Sequence, residues 1–565
     1  MDKMSSILQT VVYQLFDIDM CVKINRPDFE FGDYSTNIAM QLAKPLGKNP
    51  REIAEQLAEK IRETGIYSEV SVAGSGFINL HIKDSDLTQE LVKVLDNSVD
   101  FGKSILYKDK IIVTEYSDPN PFKVLHVGHL YTSIVGDAVS NLIEEAGGKV
   151  HRVNFGGDVG LHVGKTMWAI IKKIGGEYPD KLSEIDENTR SEWMASCYVE
   201  GTRAYKDDEL AKSEIILLNK NIYQIHIDKD YESALAKIYW KCREWSYNYF
   251  NDFYKRIGTN FEKYYPESET AQIGLSTVIE QKNNGIYQDS EGAVVFIGEP
   301  FGLHTRVFIN NEGLPTYEAK DVGLCIKKWE DYHFDESIII TGNDIVDYMK
   351  VVLKSVEQFE PELALRTKHI THGNVKLAGG VKMSSRKGNF LRAVDVLEMT
   401  ADENENNQGN RDEAPVLGAV KYAFLKNRIG ADIIFEPKES VSLYGNSGPY
   451  LQYALTRAIS ILQKVVIDNT IELTTDSDKY SLFERNLLIK ISEYPEIIER
   501  ATIELMPHNL CTYLFELAQE FNKFYENSQV EGDEREQIRL HIVKAYVTVL
   551  KKGLKILGIP TPERM

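Results

Sequence analysis

Between Lys110 and Phe155 the chain reads strand, loop, helix, strand, and this succession restricts its fold more than any other feature. Lys110–Ser117 (KIIVTEYS) is a short β-branched strand, and DPNPFKVL is a turn-rich loop. The following stretch, to about Glu145, carries Leu130, Ile134, Val135, Leu142 and Ile143 on one helical side. Ala146-Gly147-Gly148 ends that helix, and Lys149–Phe155 (KVHRVNF) is the next strand. A βαβ unit of this length opens a doubly wound parallel sheet, the α/β architecture that binds nucleotides at the carboxyl ends of its strands.

At 565 residues the chain is too long for one core, so further domains are expected around this unit. Residues 1–105 mix helix and strand, with Arg51–Glu63 helical and Ser71–Ile82 a strand pair around Gly74 and Gly76, which predicts a small α+β domain. The Rossmann-like domain is expected over 106–400, interrupted by a predominantly helical insertion at about 166–290. Strand signals return at Ala293–Gly298, Thr305–Asn310 and Ser337–Gly342, with a helix from about Thr316. The polar run Ala401–Pro415 suggests a mobile connector over 401–442, and 443–565 reads as an all-α bundle. Five scattered cysteines without a C-x-x-C pair argue against a metal site or a disulfide framework and favour a reducing, cytoplasmic setting. The first residues lack a signal-peptide pattern, and no apolar run reaches membrane-spanning length. A net charge of −20 excludes indiscriminate coating of nucleic acid, while leaving room for local basic surface.

The loop before the helix contains His126-Val127-Gly128-His129. A helix N-terminus offers unpaired N–H groups and positive dipole to a phosphate. Gly128 lets a base approach the backbone, and His126 and His129 can donate to charge developing on phosphorus. Far downstream, Lys382–Asn389 (KMSSRKGN) offers cations and hydroxyls suited to the β- and γ-phosphates of ATP. Alone, the first motif is as compatible with a plain helix cap, and the second with a solvated basic loop.

Together, in this order on one α/β chain, they resemble the paired signatures of class I aminoacyl-tRNA synthetases. The likeness narrows to the arginyl family. SDPNPFKVLHVGHL is similar to its S-x-P-N-x-x-K-x-x-H-x-G-H-L, NFGGDVGLHVGK to its glycine-rich segment (with valine where tryptophan is usual), and PTYEAKDVG to its T-Y-x-x-x-D-x-G helix. GNSGPYLQYALTRAISI and LGIPTPERM resemble the start and end of its anticodon-binding domain, and FGDYSTNIAMQLAK its tRNA-elbow-binding N-terminal domain. The resemblance implies an arginine–tRNA ligase that forms arginyl-adenylate from ATP, with Mg2+ as part of the substrate complex, and passes the arginyl group to the 3′ end of tRNA(Arg). It further implies that bound tRNA is needed before arginine is activated.

By this likeness Lys123, His126, His129 and Lys382 are catalytic. ATP falls to His126, Gly128, His129, His372, Val375, Lys382, Met383, Ser384, Ser385 and Arg386. Ser385 stands where the general class has a lysine, and the resemblance assigns that lysine's work to Lys123. Tyr317 and Asp321, four apart and so on one helical face, suit a guanidinium. Glu267 is the expected second acid with Glu269 in reserve, and Asn120 the contact for the α-amino or carboxylate group. The glutamine that the family often adds near Gly342–Asp347 is missing, leaving Asn343 or Asp344 as substitutes. Tyr34 and Asn37, then Tyr450, Gln452, Tyr453 and Arg457, are the expected tRNA contacts. A monomer is expected. The rival readings are another class I specificity, such as cysteinyl, and a synthetase-derived tRNA-binding protein without catalysis.

Overall fold

The computed structural model describes residues 2–378, 391–468 and 480–565. At its centre lies a five-stranded sheet in the order Thr367–His372, Glu336–Gly342, Ile111–Glu115, Lys149–Gly156, Lys263–Pro266, with all four neighbouring pairs parallel. The chain starts in the middle strand, builds outward to Lys263–Pro266, then returns to build the other side. The strand order therefore reverses between Ile111–Glu115 and Glu336–Gly342, and the crevice for ligands opens there, at the carboxyl ends.

Alternation along the strands fixes what covers each face. Ile112, Ile338 and Ile340 join one buried cluster, which also holds Leu130, Ile134 and Leu142 of the Val127–Glu145 helix. Val113, Val153 and Ile339 point the other way, into a second cluster with Val322, Val351 and Val352 of the helices Tyr317–Tyr332 and Val346–Glu357. A sheet buried on both faces demands such apolar runs, which is why these strands were legible. The helix Val127–Glu145 packs close against the sheet because Gly136 faces Tyr116: a methyl at Gly136 would lie 2.2 Å from the Tyr116 ring. The Tyr116 hydroxyl in turn donates to Asp137 at 2.7 Å.

Residues before the sheet form helices Asp2–Phe16, Ile38–Leu46, Pro50–Glu63 and Asp84–Asp96 around a three-stranded antiparallel sheet (Tyr34–Thr36, Phe77–His81, Glu69–Ala73). After it come helices Gly448–Lys464, Leu482–Ser492, Tyr494–Glu504, His508–Asn527 and Glu536–Ile556. These two ends meet: Arg26 pairs with Glu496 at 3.1 Å, and Arg485 reaches Asp33 and Asp84.

Two expectations change. The helical excursion ends earlier than about 290, because Lys263–Pro266 is the edge strand of the main sheet and Glu267–Asn283 packs on the Tyr317–Tyr332 helix. Four residues, two of them tyrosine, give too short a pattern to read as a strand. The expected mobile connector is folded, with Ala393–Gln408 and Glu413–Leu425 both helical. Its polar face is tied down by Arg411 against Asp402, Glu405 and Glu398, and by Asn404, whose Nδ2 donates to the Asn410 carbonyl at 3.0 Å.

Gly136→Val should overpack the contact with Tyr116 and destabilise the protein by about 1–3 kcal/mol. Thermal unfolding of the purified variant checks this; an unchanged midpoint would contradict the close approach.

Candidate active site

The loop leaving the central strand is held in a costly conformation. Ser117, Asp118 and Phe122 have φ of 75°, 49° and 68°, a region that non-glycine residues rarely adopt. The surroundings impose it. Asp118 Oδ1 accepts the Phe155 N–H and Asn120 Oδ1 the Gly157 N–H, both at 2.8 Å, while the Phe122 N–H donates to Ser246 at 2.9 Å. The loop is thereby stitched to the neighbouring strand end and to the Ala234–Ile257 helix.

His126 and His129 cap the helix that follows. His126 Nδ1 accepts from the Gly128 N–H at 3.1 Å, His129 Nδ1 accepts from the His126 N–H at 3.0 Å, and the rings stack 3.7 Å apart. Burial, with Lys123 nearby, lowers His126 to about 4 and holds His129 well below the usual histidine range. Both rings are therefore neutral near pH 7. With Nδ1 accepting, each carries its proton on Nε2, free to donate outward. Gly128 is needed for this fold-back, since a methyl there would lie 2.8 Å from His126 Cε1. The segment after the second signature is tied to the first: the Val127 N–H donates to the Leu391 carbonyl and the Ala393 N–H to the Leu125 carbonyl, both at 2.9 Å. Lys382, Met383, Ser384, Ser385 and Arg386 lie outside the described residues.

A cleft of about 480 Å³ opens here, lined by Asn120, Lys123, His126, His129, Tyr198 and Arg392 among others. Beside it lies a group of acids withdrawn from water. Glu267 begins its helix and is placed by Asp158, which accepts from Ser268 N–H and hydroxyl at 2.8 and 2.7 Å and pairs with Arg243 at 3.0 Å. Glu267 Oε2 takes Lys320 at 2.5 Å, while its Oε1 converges with Asn120 Oδ1 on Gly157: a methyl there would sit 2.9 and 2.5 Å from them. Asp321 accepts from the Tyr348 hydroxyl. Burial pushes its carboxyl up to about 8, and raises Asp118 and Glu267 as well. Glu115 pairs with buried Lys328, which also donates to Ser337 at 3.1 Å. Among the described residues, four acids thus face two buried ammonium groups, with Lys123 of the cleft acting on Glu267 as a third.

The structure brings together Asn120, Lys123, His126, Gly128, His129, Glu267, Tyr317 and Asp321; Lys320 lies 5.2 Å from the Tyr317 ring. Glu269 is set aside, because Glu267 makes the inward contacts. Several expectations are corrected. Asn343 and Asp344 are exposed and do not reach Asp321; Tyr348, further along, does. His372 is buried with both nitrogens engaged, Nε2 with Thr132 at 2.7 Å and Nδ1 with the Gly373 carbonyl at 2.8 Å, so it braces the signature helix. Val375 is buried in a short strand paired with Ile433. Tyr34 is 5% exposed, its ring covered by Arg26 at 4.5 Å, because the C-terminal helices pack there. Asn37, by contrast, stays partly exposed, its Oδ1 accepting from Gln41 at 2.7 Å. Gln452 is fully buried, donating to the Ala414 and Pro560 carbonyls at 2.9 and 2.8 Å, and is a structural bolt between helices. Tyr450 is half-buried on Phe515, leaving Tyr453 (43% exposed) and Arg457, which stacks on Tyr525 at 4.2 Å, as surface groups. Lys320, Tyr348 and Asp158 were missed; Lys320 and Asp158 stand inside the quoted motifs, but no spacing rule marks them.

Residues 2–82 match the arginyl tRNA synthetase N terminal domain, residues 90–436 the catalytic domain of tRNA synthetases class I (R), and residues 451–565 the DALR anticodon binding domain. Over 99% of this chain and 98% of the relative, the sequence is 30% identical to an arginine–tRNA ligase of Clostridium perfringens, and with the same coverages 28% identical to that of Flavobacterium psychrophilum. The fold resembles the arginyl-tRNA synthetase of Plasmodium falciparum with a TM-score of 0.79 at 23% identity, covering 100% of this chain and 99% of that one.

Lys320→Met should leave Glu267 buried and unpaired, costing about 3–5 kcal/mol, whereas the double change with Glu267→Gln should recover much of the loss. Denaturant unfolding of the three variants measures both; additive losses would contradict the pairing.

Proposed function

From its membership of the arginyl-tRNA synthetases, class I ligases that join arginine to tRNA(Arg), we propose how this chain's residues divide the work. ATP lies along the signature helix N-terminus, with His126 and His129 donating from Nε2 to its phosphates and Lys123 neutralising charge as pyrophosphate leaves. Mg2+ enters with ATP as part of the substrate. Lys382 and the hydroxyls and cations after it act on the same phosphates.

The excess of buried acid beside the signature histidines carries the arginine assignment. The α-carboxylate must reach the α-phosphate, so the amino-acid head belongs by Asn120, where Glu267 Oε1 and Asn120 Oδ1 converge to accept an ammonium. The guanidinium then extends to Asp321, between Tyr317 and Tyr348. Glu267 Oε1 stands beside Asn120 while Tyr348 stands on Asp321, so we assign Glu267 to the head of the substrate and not to the guanidinium first expected for it. Tyr453, Tyr525 and Arg457 offer RNA a stacking and charged surface. A monomer is the working unit we propose; the free cysteines, four of five buried, fit a reducing cytoplasm.

Purified protein given total tRNA and each of the twenty amino acids in turn should charge arginine alone, and ATP–pyrophosphate exchange should appear only with tRNA present. Charging of another amino acid in place of arginine would sink the pocket assignment. Lys123→Ala should lower the maximal rate roughly 100- to 1,000-fold, as loss of a transition-state donor does.

Asp321 is protonated in the empty pocket below about pH 8, and a guanidinium needs the carboxylate. The KM for arginine should therefore fall as pH rises from 6, by up to about ten-fold per unit, and level off above 8. Asp321→Asn should raise that KM roughly 10- to 100-fold, flatten its pH dependence and leave the KM for ATP unchanged. A wild-type KM insensitive to pH would contradict the role of Asp321.

A further inference from the structure

The ammonium of Lys123 lies 4.5 Å from the centroid of the Tyr198 ring, across the mouth of the cleft that both residues line. The two come from different parts of the fold. Lys123 belongs to the strained loop before the signature helix, whose backbone is pinned through Phe122 to Ser246. Tyr198 sits on the helix Arg190–Asp207 of the insertion. One turn beyond Tyr198, Gly201 packs against the helix Leu161–Lys173 so closely that a methyl would lie 1.9 Å from the Lys165 carbonyl. Tyr198 is therefore held at a fixed height over the cleft.

Among the described residues no carboxylate pairs with Lys123. Among the described lining residues the one acid, Glu192, is engaged with Arg392, and Lys165 repels Lys123 while its own ammonium rests on Tyr205 at 4.5 Å. A lysine side chain left loose would spread over many rotamers and swing toward water. An aromatic face attracts the ammonium without neutralising it, and it covers only one side of the cation. The other side stays open to phosphoryl oxygens.

We propose that Tyr198 is a positioning residue for Lys123, its ring face holding the ammonium in the cleft so that incoming polyphosphate meets a cation already in place. The inference rests on Lys123 serving the phosphates. It makes the insertion part of the activation chemistry.

The test is a cycle on the full-length protein: wild type, Tyr198→Phe, Tyr198→Met, Lys123→Ala, and Lys123→Ala with Tyr198→Met. Single-turnover aminoacylation is followed with tRNA bound, ATP and arginine each varied while the other is saturating, after thermal unfolding has shown each variant folded. Tyr198→Phe keeps the ring and should stay within about two-fold of wild type. Tyr198→Met should slow the maximal rate roughly ten-fold with the KM for arginine unchanged, and should cost nothing further once Lys123 is alanine. A wild-type rate in Tyr198→Met, an equal loss in both backgrounds, or a Tyr198→Phe as slow as Tyr198→Met overturns the proposal. If Lys123→Ala is itself as fast as wild type, the reading of Lys123 fails and takes this inference with it. A slow Lys123→Ala beside a fast Tyr198→Met overturns the inference alone.

Discussion

Buried charge without enough counter-charge is the constraint on which this site depends. Glu115, Asp118, Glu267 and Asp321 are gathered at the carboxyl ends of the central strands, with Lys320 and Lys328 as their buried partners. Desolvation penalises an uncompensated carboxylate heavily, and the protein meets that cost by keeping some of these groups protonated until a cation arrives. A cationic amino acid is the ligand that relieves the imbalance. The same acids would be a poor cradle for a neutral or acidic side chain, so specificity follows from electrostatics as much as from shape.

The phosphate side uses the opposite device. His126 and His129 spend their Nδ1 atoms on the helix's own N–H groups, which fixes tautomer and direction before any ligand binds. They remain neutral and directional, and Lys123 lines the same cleft as a cation. The reversal of strand order between Ile111–Glu115 and Glu336–Gly342 lets the two devices meet: the signature loop leaves one strand, and the segment bearing Tyr348 leaves the other. Adenylate formation needs the phosphate and the amino-acid carboxylate at one point, and the topology provides it.

Much of this was legible in the sequence because its physical cause is local. Strands buried on both faces must be apolar runs, so Ile111–Glu115 and Glu336–Gly342 announced themselves; the helix Val127–Glu145 did so through its spacing. The signature histidines and the Tyr317–Asp321 pair were singled out through the family resemblance, since spacing alone suits a helix cap or a surface polar pair equally well. What failed was whatever depends on covering by distant chain. Tyr34 and Gln452 looked like RNA contacts until the C-terminal helices and the chain end closed over them. Lys263–Pro266 is a strand only because Val153–Gly156 pairs with it. Lys320 lies between Tyr317 and Asp321, yet a helix lysine is usually solvated, and only the fold shows it buried on Glu267. Tyr348 has no motif at all; only the fold shows its hydroxyl on Asp321.

The orientation of the amino acid tests the central claim most directly. A crystal structure of the protein with L-arginine should place the guanidinium against Asp321, between Tyr317 and Tyr348, with the α-ammonium beside Asn120 and Glu267 and the Lys320–Glu267 pair intact. A guanidinium bound to Glu267 with Lys320 displaced would contradict the account.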